Sequence, residues 1–352
     1  MSARVAVKTA DTSEARPRAS LGTTLLNAPY VLWSILFIII PLVLVAFYAF
    51  TETVNYYDLR FEAAGQVSEY EIESMVGDTT ITLDEAKEKA LALAGASAED
   101  AHFTAATLKN RMGSFTTDNF KDVFSAGSLT AMRLSLVYSL AATLISLIIA
   151  YPFAYILSRS GAKSQRIQML LIMLPMWMNM LVRTYSWQQI LENGGIINKL
   201  IIAHGGQPVT MLGTAGAVIL GMVYNYLPYM ILPIYTTMTK IDTSLLEAAD
   251  DLGCNWLQKL YRLILPLSVP GVISGLIMVF VPSISTFYIS QKMSNGMIKL
   301  VGDLIETKIK EQWSTGGLNV GAAMSFVLMV VILICTFIMN RFSDSDGGDV
   351  VI

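Results

Sequence analysis

The 352-residue chain carries little charge for its size. Asp, Glu, Lys and Arg make up 14% of the residues, whereas hydrophobic residues make up 54% and the mean hydropathy is +0.54. Soluble domains carry about 25% charged residues. A chain with this little charge cannot cover a water-facing surface of its size, so several segments must face lipid. The sequence therefore predicts an integral membrane protein.

Cysteine and histidine are also scarce, with two of each. These are too few for a metal cluster, and no disulfide is expected between a loop residue, Cys254, and a membrane-helix residue, Cys335. The net charge of −3 leaves no basic patch for phosphates, which excludes nucleic acid as a partner. The sequence has no GxxxxGK[ST] run, so any ATP must be hydrolysed on another chain. We expect no catalytic residue, no cofactor and no metal site.

Long apolar runs are what the chain does have. A helix needs about 20 apolar residues to cross a bilayer. Five uncharged runs reach this length, and a sixth is interrupted once, by Arg183. The six runs are 28–50, 134–158, 167–191, 214–239, 263–291 and 312–340. We predict an all-α membrane protein with six transmembrane helices and a core domain over 131–340.

The loops set the orientation, because cytosolic loops carry more Lys and Arg than outer loops. A cytosolic N-terminus leaves few basic residues in the short outer loops: Lys199, Lys292, Lys299, Lys308 and Lys310. It places a larger set inside: Arg4, Lys8, Arg16, Arg18, Arg159, Lys163, Arg166, Lys240, Lys259, Arg262 and Arg341. We therefore expect cytosolic tails at both ends, 1–27 and 341–352.

A polar, net acidic segment, 51–130, separates the first two spans. Within it, Thr82 and Glu85 form a capping box, Gly95 is placed to end the helix that follows, and 102–108 is strand-like. Residues 81–108 resemble one half of a PepSY unit, a small extracytoplasmic module. We expect a small extracytoplasmic α+β insertion between helices 1 and 2.

The loop between the fourth and fifth spans, 243–266, carries the most specific pattern. Ser244 and Glu247 form a second capping box, and Gly253 suits a left-handed helix end. A further helix is predicted from near Asn255 to Pro266. Four residues make one apolar stripe: Leu245, Ala248, Ala249 and Leu252. The pattern predicts a cytosolic elbow whose small side chains allow a partner protein to approach closely.

This elbow resembles the EAA signature of ABC importer permeases. Matching residues are Glu247, Ala248, Ala249, Gly253, Leu265 and Pro266, with Leu263 at the signature's Ile position. The stretches 150–159, 174–187, 221–238 and 245–275 are similar to the first permease subunit of spermidine/putrescine ABC importers. The similarity extends over all six helices but not over 55–114. It implies the type I ABC importer (MetI-like) permease fold, with the elbow as the helix that couples to an ATPase.

The resemblance also implies partners and a location. The chain would be a multi-pass protein of a bacterial cytoplasmic membrane, surrounded by lipid, and would form half of a polyamine pathway. Its partners would be a second homologous permease, two copies of a cytosolic ABC ATPase and an extracytoplasmic polyamine-binding protein. It would be a transporter subunit and not an enzyme.

Aromatic rings are the candidates for lining that pathway. The predicted spans contain no acidic residue, and a ring face attracts an ammonium group by about 0.5–2 kcal/mol. Weak contacts suit a path that must release what it admits. The candidate path residues are Trp177, Tyr185, Tyr224, Tyr229 and Tyr288.

Charged residues are expected to play lesser roles. Arg183 is predicted near the outer interface, where its side chain snorkels or pairs helices, because a cation on the path would repel a polycation. Three acids fall in outer loops: Glu192, Asp303 and Glu306. They could help to receive a cation or to dock the delivering protein, but we expect ordinary solvated charges.

Other functions remain open at this stage. The chain could be a permease for an organic anion, a metal or a sugar, and Arg183 slightly favours an anion. A membrane sensor would use the acidic insertion to bind a ligand. A channel or secondary transporter would work without ATP.

Overall fold

The computed structural model describes residues 29–63, 66–73, 75–76, 79–94, 101–313 and 318–347. The predicted cytosolic tail 1–27, Gly95 and the end of the C-terminal tail lie outside these residues. The described helices are α1 (Pro29–Ala49), α2 (Leu83–Ala94), α3 (Asn119–Val123), α4 (Ala126–Arg159), α5 (Ala162–Trp177), α6 (Met180–Leu191), α7 (Ile196–Ala203), α8 (Ala215–Met238), α9 (Thr243–Asp251), α10 (Trp256–Ile284), α11 (Tyr288–Ser294), α12 (Val301–Trp313) and α13 (Asn319–Gly347).

Within the described ranges, five helices are long and apolar enough to cross a membrane: α1, α4, α8, α10 and α13. In lipid only a helix or a closed barrel satisfies the backbone, so the apolar runs become helices. The runs predicted at 28–50 and 214–239 match α1 and α8 closely. Helix α4 begins at Ala126, before both its predicted start and the predicted boundary of the core domain at 131.

The third predicted span, 167–191, is a broken helix. Helix α5 and the segment Met180–Ala203, which contains α6 and α7, qualify together as a sixth crossing, but the chain bends by 94° between them. The side chain of Asn179 accepts a hydrogen bond from the Leu181 amide at 2.8 Å and so caps α6. A new helix therefore starts inside an uncharged run, which hydropathy alone does not reveal.

The last two predicted spans are also divided. Helix α10 begins at Trp256, runs without a break through Pro266 and ends at Ile284, and α11 follows after Ser285–Phe287. A π-helical turn, Leu260–Ile264, precedes Pro266. The final crossing begins at Asn319 and not at 312, because Val301–Trp313 forms the separate helix α12.

Helix α8 lies at the centre of the membrane core, with α4 and α10 packed along it. Met222, Met230, Ile234 and Met238 on α8 are fully buried. The face of α4 that is buried carries small residues at helical spacing, whereas larger residues such as Ile148 are exposed. The small residues are Ala131, Ser135, Ser139, Ala142, Ser146, Ala150 and Ala154. Small side chains let membrane helices approach closely.

The glycines of α10 permit the same close approach. A Cβ at Gly271 would lie 2.8 Å from the Pro233 carbonyl oxygen of α8, and one at Gly275 would lie 3.2 Å from the Met230 carbonyl oxygen. The backbone of α8 therefore occupies the space that larger side chains on α10 would need.

The segment between α1 and α4 folds around an antiparallel sheet. Its strands are β1 (Thr51–Ala63), β2 (Gln66–Glu73) and β5 (Ala101–Phe115), in the order β2-β1-β5, and the short strands β3 (Met75–Val76) and β4 (Thr79–Thr80) form a separate pair. Helix α2 packs on the sheet through Ala86 and Ala90, which meet Leu59 and Phe61. The predicted α+β character is confirmed, and β5 is longer than the predicted strand 102–108.

The capping box predicted for α2 is present. The Thr82 amide donates to Glu85 Oε2 at 2.7 Å, and the Glu85 amide donates to Thr82 Oγ1 at 3.3 Å. Two backbone donors at the start of the helix are therefore satisfied.

The sheet is anchored where it leaves the membrane helices. Asn119 Nδ2 donates to the carbonyl oxygens of Ala49 (3.0 Å) and Thr51 (2.8 Å), and Asn319 Nδ2 donates to that of Thr51 at 2.6 Å. The Thr116 amide donates to the Phe50 carbonyl oxygen at 2.9 Å. Side chains from α3 and α13 thus fix the start of β1.

The close packing of α10 on α8 predicts the effect of Gly271→Val. The added side chain would overlap the α8 backbone, and overpacking of this kind costs about 1–3 kcal/mol. We expect a lower midpoint of thermal unfolding in detergent. Gly127→Val in α4 is the matched control, because no described residue lies within 4 Å of a Cβ there. Equal midpoints for the two variants would contradict the packing described above.

Candidate functional site

Asp242 directly precedes the elbow and caps its first helix, α9. Its side chain accepts a hydrogen bond from the Ser244 amide at 3.0 Å, and this bond lowers the pKa of the Asp242 carboxyl. The predicted capping box of Ser244 and Glu247 is therefore wrong, because Asp242 already caps α9. Ser244 and Glu247 both lie within α9 and are exposed.

Gly253 forms the left-handed turn that follows α9, as predicted. This glycine has a φ of +73°, the left-handed region that other residues avoid. Its amide donates to the Asp250 carbonyl oxygen at 2.8 Å, and the Cys254 amide donates to the Ala249 carbonyl oxygen at 3.0 Å. The chain reverses here and can start a second helix at once.

The second arm of the elbow has a capping box that the sequence analysis missed. The Asn255 amide donates to Gln258 Oε1 at 2.9 Å, and the Gln258 amide donates to Asn255 Oδ1 at 2.8 Å. The Asn-x-x-Gln spacing at 255–258 could have revealed it. An ion pair between Lys259 and Asp250 then links the two arms.

The face of the elbow that points away from the membrane core is apolar and exposed. Leu252 is 83% exposed and Trp256 56%, and Leu245 and Leu257 are also exposed. Leu246, on the other side of α9, packs against the membrane core. An exposed apolar patch with polar neighbours is typical of a protein interface.

The signature residues lie on and behind this face. Glu247 and Ala248 are exposed on α9, Ala249 is half-buried, and Leu265 and Pro266 are exposed within α10. The two predicted helical arms and the left-handed turn between them are present. Helix α10, however, does not stop at Pro266, so the elbow is continuous with a membrane helix.

The aromatic path residues fall into separate groups. Tyr185 of α6 and Tyr288 of α11 meet at the ammonium group of Lys292, which lies 4.8 Å and 5.8 Å from their ring centroids. Tyr224 lines an apolar cavity of about 450 Å³ and meets Trp187 edge-on at 5.3 Å between centroids. Trp177, at the end of α5, and Tyr229, on α8, are exposed.

Arg183 is buried and not at a surface, since only 6% of it is exposed. The expectation that its side chain snorkels to the interface is therefore wrong. Its Nε and Nη1 atoms have no hydrogen-bond partner among the described residues. The neighbouring Thr184 hydroxyl accepts a bond from Asn225 Nδ2 at 3.4 Å, in the middle of α8.

The outer acids are also more buried than expected. Asp303 is 4% exposed, and its Oδ2 accepts bonds from the Ser290 hydroxyl at 2.7 Å and the Leu300 amide at 2.8 Å. Burial raises the pKa of the Asp303 carboxyl. The expectation of a solvated charge is wrong here, because partners distant in sequence enclose the side chain. Glu192 is exposed as expected.

Glu306 lies one helical turn further along α12 and is half-buried. It accepts hydrogen bonds from Gln291 of α11 and from Lys310, the latter at 2.6 Å. Burial opposes ionisation of Glu306, but the bonds from Lys310 and Gln291 outweigh it and lower its pKa. Glu306 is therefore the more strongly ionised of the two acids.

The raised pKa of Asp303 predicts a pH-dependent effect of Asp303→Asn. A carboxyl whose pKa is higher in the folded state costs stability once the pH exceeds the unfolded value of about 3.9. An amide keeps an acceptor oxygen without that charge. We expect the variant to unfold at a higher temperature than the wild type at pH 7.5 and the difference to vanish near pH 4.

The control is Asp118→Asn, at an exposed acid whose pKa is lowered by the hydrogen bond from Lys121. This variant should show no gain at pH 7.5. A loss of stability in Asp303→Asn at every pH would contradict the account of Asp303.

Known structures share the fold of the membrane part. A bacterial ABC transporter that imports the acidic polysaccharide alginate superposes with a TM-score of 0.57 at 16% identity, over 66% of this chain and 84% of that one. The same kind of transporter in complex with its alginate-bound periplasmic protein gives 0.54 at 16% identity, over 64% and 84%. The membrane part therefore has the fold of an ABC importer permease.

Sequence relatives are more specific. The spermidine/putrescine transport system permease protein PotB of Haemophilus influenzae is 37% identical over 64% of this chain and 79% of its own length. PotB of Escherichia coli is 34% identical over 65% and 83%. The Escherichia coli inner membrane ABC transporter permease protein YdcU is 27% identical over 62% and 73%.

The family model for binding-protein-dependent transport system inner membrane components matches residues 123–346. That range contains the elbow and the membrane core from α4 onward. It leaves out α1 and the domain formed by β1 to β5 and α2, here called the sheet domain. The chain belongs to the family of binding-protein-dependent transport system inner membrane components.

Proposed function

We propose that the chain is one permease subunit of an ATP-driven importer of polyamines such as spermidine and putrescine. The observation that carries this proposal is the exposed apolar elbow at 243–266, which bears the EAA residues and continues directly into a membrane helix. The identity of 34–37% to spermidine/putrescine permeases supports the choice of cargo.

The elbow is suited to transmit force. Leu252 and Trp256 offer an apolar face to an ATPase, and Glu247 adds a polar group beside it. Helix α10 runs 29 residues from Trp256 to Ile284, or about 43 Å. A displacement of the elbow would thus reach the interruption at Ser285–Phe287 along one helix. Tyr288, a candidate path residue, follows that interruption directly.

The proposed assembly contains this chain and a second homologous permease. Two copies of a cytosolic ABC ATPase and an extracytoplasmic polyamine-binding protein complete it. The absence of a phosphate-binding loop from the sequence supports a separate ATPase. A related fold occurs in an alginate transporter complexed with its periplasmic protein, which supports a binding-protein partner.

The proposed orientation places both termini, 1–27 and 341–352, and the elbow in the cytosol, and the sheet domain of 51–130 outside. Lys259 and Arg262 in the elbow support a cytosolic position for it. Residues 131–340 would form the core domain with transmembrane helices 2–6. The sheet domain precedes the matched family region, so its role does not follow from the family.

The proposed path uses weak cation contacts. Trp177, Tyr185, Tyr224, Tyr229 and Tyr288 remain its candidate residues. Glu306, half-buried and ionised beside α11, would attract a polycation to the Tyr185 and Tyr288 rings. Contacts of about 0.5–2 kcal/mol would pass the cargo on without trapping it.

A second candidate function is import of an anionic solute. Arg183 favours it, because its buried Nε and Nη1 atoms lack partners in the described structure and would bind carboxylate or sulfate oxygens. Competition between labelled spermidine and unlabelled di- and tricarboxylates separates the two candidates. Inhibition by polyamines alone supports the first, and inhibition by the acids alone supports the second.

The elbow predicts the effect of Gly253→Asp on uptake. A side chain at φ +73° strains the turn, and a carboxylate would lie beside the apolar face. We expect ATP-dependent spermidine uptake by the assembled transporter in proteoliposomes to fall at least tenfold. Gly205→Asp is the matched control, since Gly205 also has a positive φ (+82°) and, among the residues that the structure describes, none lies within 4 Å of its Cβ position.

Co-purification of the ATPase with each variant shows whether assembly is affected. Uptake by Gly253→Asp equal to that of Gly205→Asp would contradict the coupling role. A wild-type complex that hydrolyses ATP but imports no polyamine would contradict the cargo.

A further inference from the structure

The ammonium group of Lys292 occupies an aromatic site near the interrupted helices. It lies 4.8 Å from the Tyr185 centroid and 5.8 Å from the Tyr288 centroid, both within the range of about 6 Å for a cation–π contact. Tyr288 reaches it from one turn earlier on α11. Tyr185 reaches it from α6, a different helix. The two rings therefore form a small cation site between α6 and α11.

The two tyrosine rings are the partners of the Lys292 ammonium group. Within the described residues, no carboxylate oxygen lies within 4.0 Å of its ammonium group, whereas Lys310 is paired with Glu306 and Lys259 with Asp250. A cation that is held by aromatic rings can move away without leaving a carboxylate unpaired. The long, flexible stem of lysine allows it to swing away.

We propose that Tyr185 and Tyr288 form a binding site for an alkylammonium group, and that Lys292 is a tethered competitor which occupies the site between transport events. The proposal rests on the proposed function, and it names the residue that sets how easily the path admits a cargo ammonium. An incoming primary ammonium has the same charge and the same chemistry as the lysine side chain that it displaces.

Displacement of the Lys292 ammonium group also has a consequence for α6 and α11. Lys292 belongs to α11 and contacts Tyr185 on α6, so its ammonium group links the segments that follow the two interruptions. Displacement by a free ammonium would remove that tethered link. Glu306, which accepts a bond from Gln291 beside Lys292, offers a second nearby position for a cation. It already holds the ammonium of Lys310.

The first test is the spermidine KM of the assembled transporter in proteoliposomes. Lys292→Met keeps a flexible apolar stem but removes the competing charge, so we expect KM to fall about three- to tenfold. Lys299→Met is the matched control, because Lys299 is an exposed outer lysine whose loss changes the net charge equally. Adding Tyr185→Leu to Lys292→Met should return KM toward the wild-type value. Equal KM values for Lys292→Met and Lys299→Met would overturn the proposal.

The second test needs no transport. The purified complex is treated with an amine-acylating reagent in n-butylammonium chloride or in potassium chloride at equal ionic strength, and labelling of Lys292 is measured by mass spectrometry as a ratio to labelling of Lys299 in the same sample. Butylammonium also reacts with the reagent, and the ratio cancels that loss. Displacement predicts at least a twofold higher ratio with butylammonium. Equal ratios in the two salts would overturn the site.

The two tests separate this proposal from the proposed function. If butylammonium raises the ratio of Lys292 to Lys299 labelling but the wild type imports no polyamine, the ammonium site stands and the proposed cargo is wrong. The wild type could also import polyamine while Lys292→Met leaves KM unchanged and butylammonium leaves the labelling ratio unchanged. In that case the cargo stands and the role of Lys292 is wrong.

Discussion

The close approach of α8 to α4 and α10 is the interaction on which the membrane part depends. Lipid gives packed apolar helices no hydrophobic advantage over separated ones, so association relies on tight backbone contact. The small residues of α4 and the glycines Gly271 and Gly275 supply that contact. The buried hydroxyl of Thr143 on α4 does not oppose it, because it donates to the Ser139 carbonyl oxygen of its own helix at 2.7 Å. The buried Ser146 hydroxyl, by contrast, has no partner among the described residues.

Rigid packing of three helices leaves motion to the places where helices are interrupted. The breaks at Met178–Asn179 and Ser285–Phe287 each lie beside polar or aromatic residues with a transport role in our proposals. The buried Arg183 follows the first break, and Tyr288 follows the second. Helix α10 joins the second break to the exposed elbow. The membrane part therefore combines a packed core with interrupted helices. This arrangement is consistent with a permease that is moved by a cytosolic ATPase.

Much of this architecture could be predicted from the sequence. Uncharged runs mark spans because lipid excludes charge, and the elbow is visible because Gly253 and the EAA residues have local requirements. The breaks could not be found in this way, since Asn179 and Ser285 are uncharged and leave the hydropathy high. At Asp242 and Ser244 two capping patterns compete, and local sequence does not choose between them. The burial of Asp303 depends on Ser290, which the fold brings to it.

The anchoring of the sheet domain has a further consequence. Strand β1 leaves α1 with only Phe50 between them, and Asn119 and Asn319 both hold the Thr51 carbonyl oxygen. These hydrogen bonds fix the base of the sheet domain to the first turn of α13, so the two must tilt together. An antibody fragment bound to the sheet would mark the orientation of the domain. Its angle in single-particle images would therefore reveal how that helix end reorients during turnover.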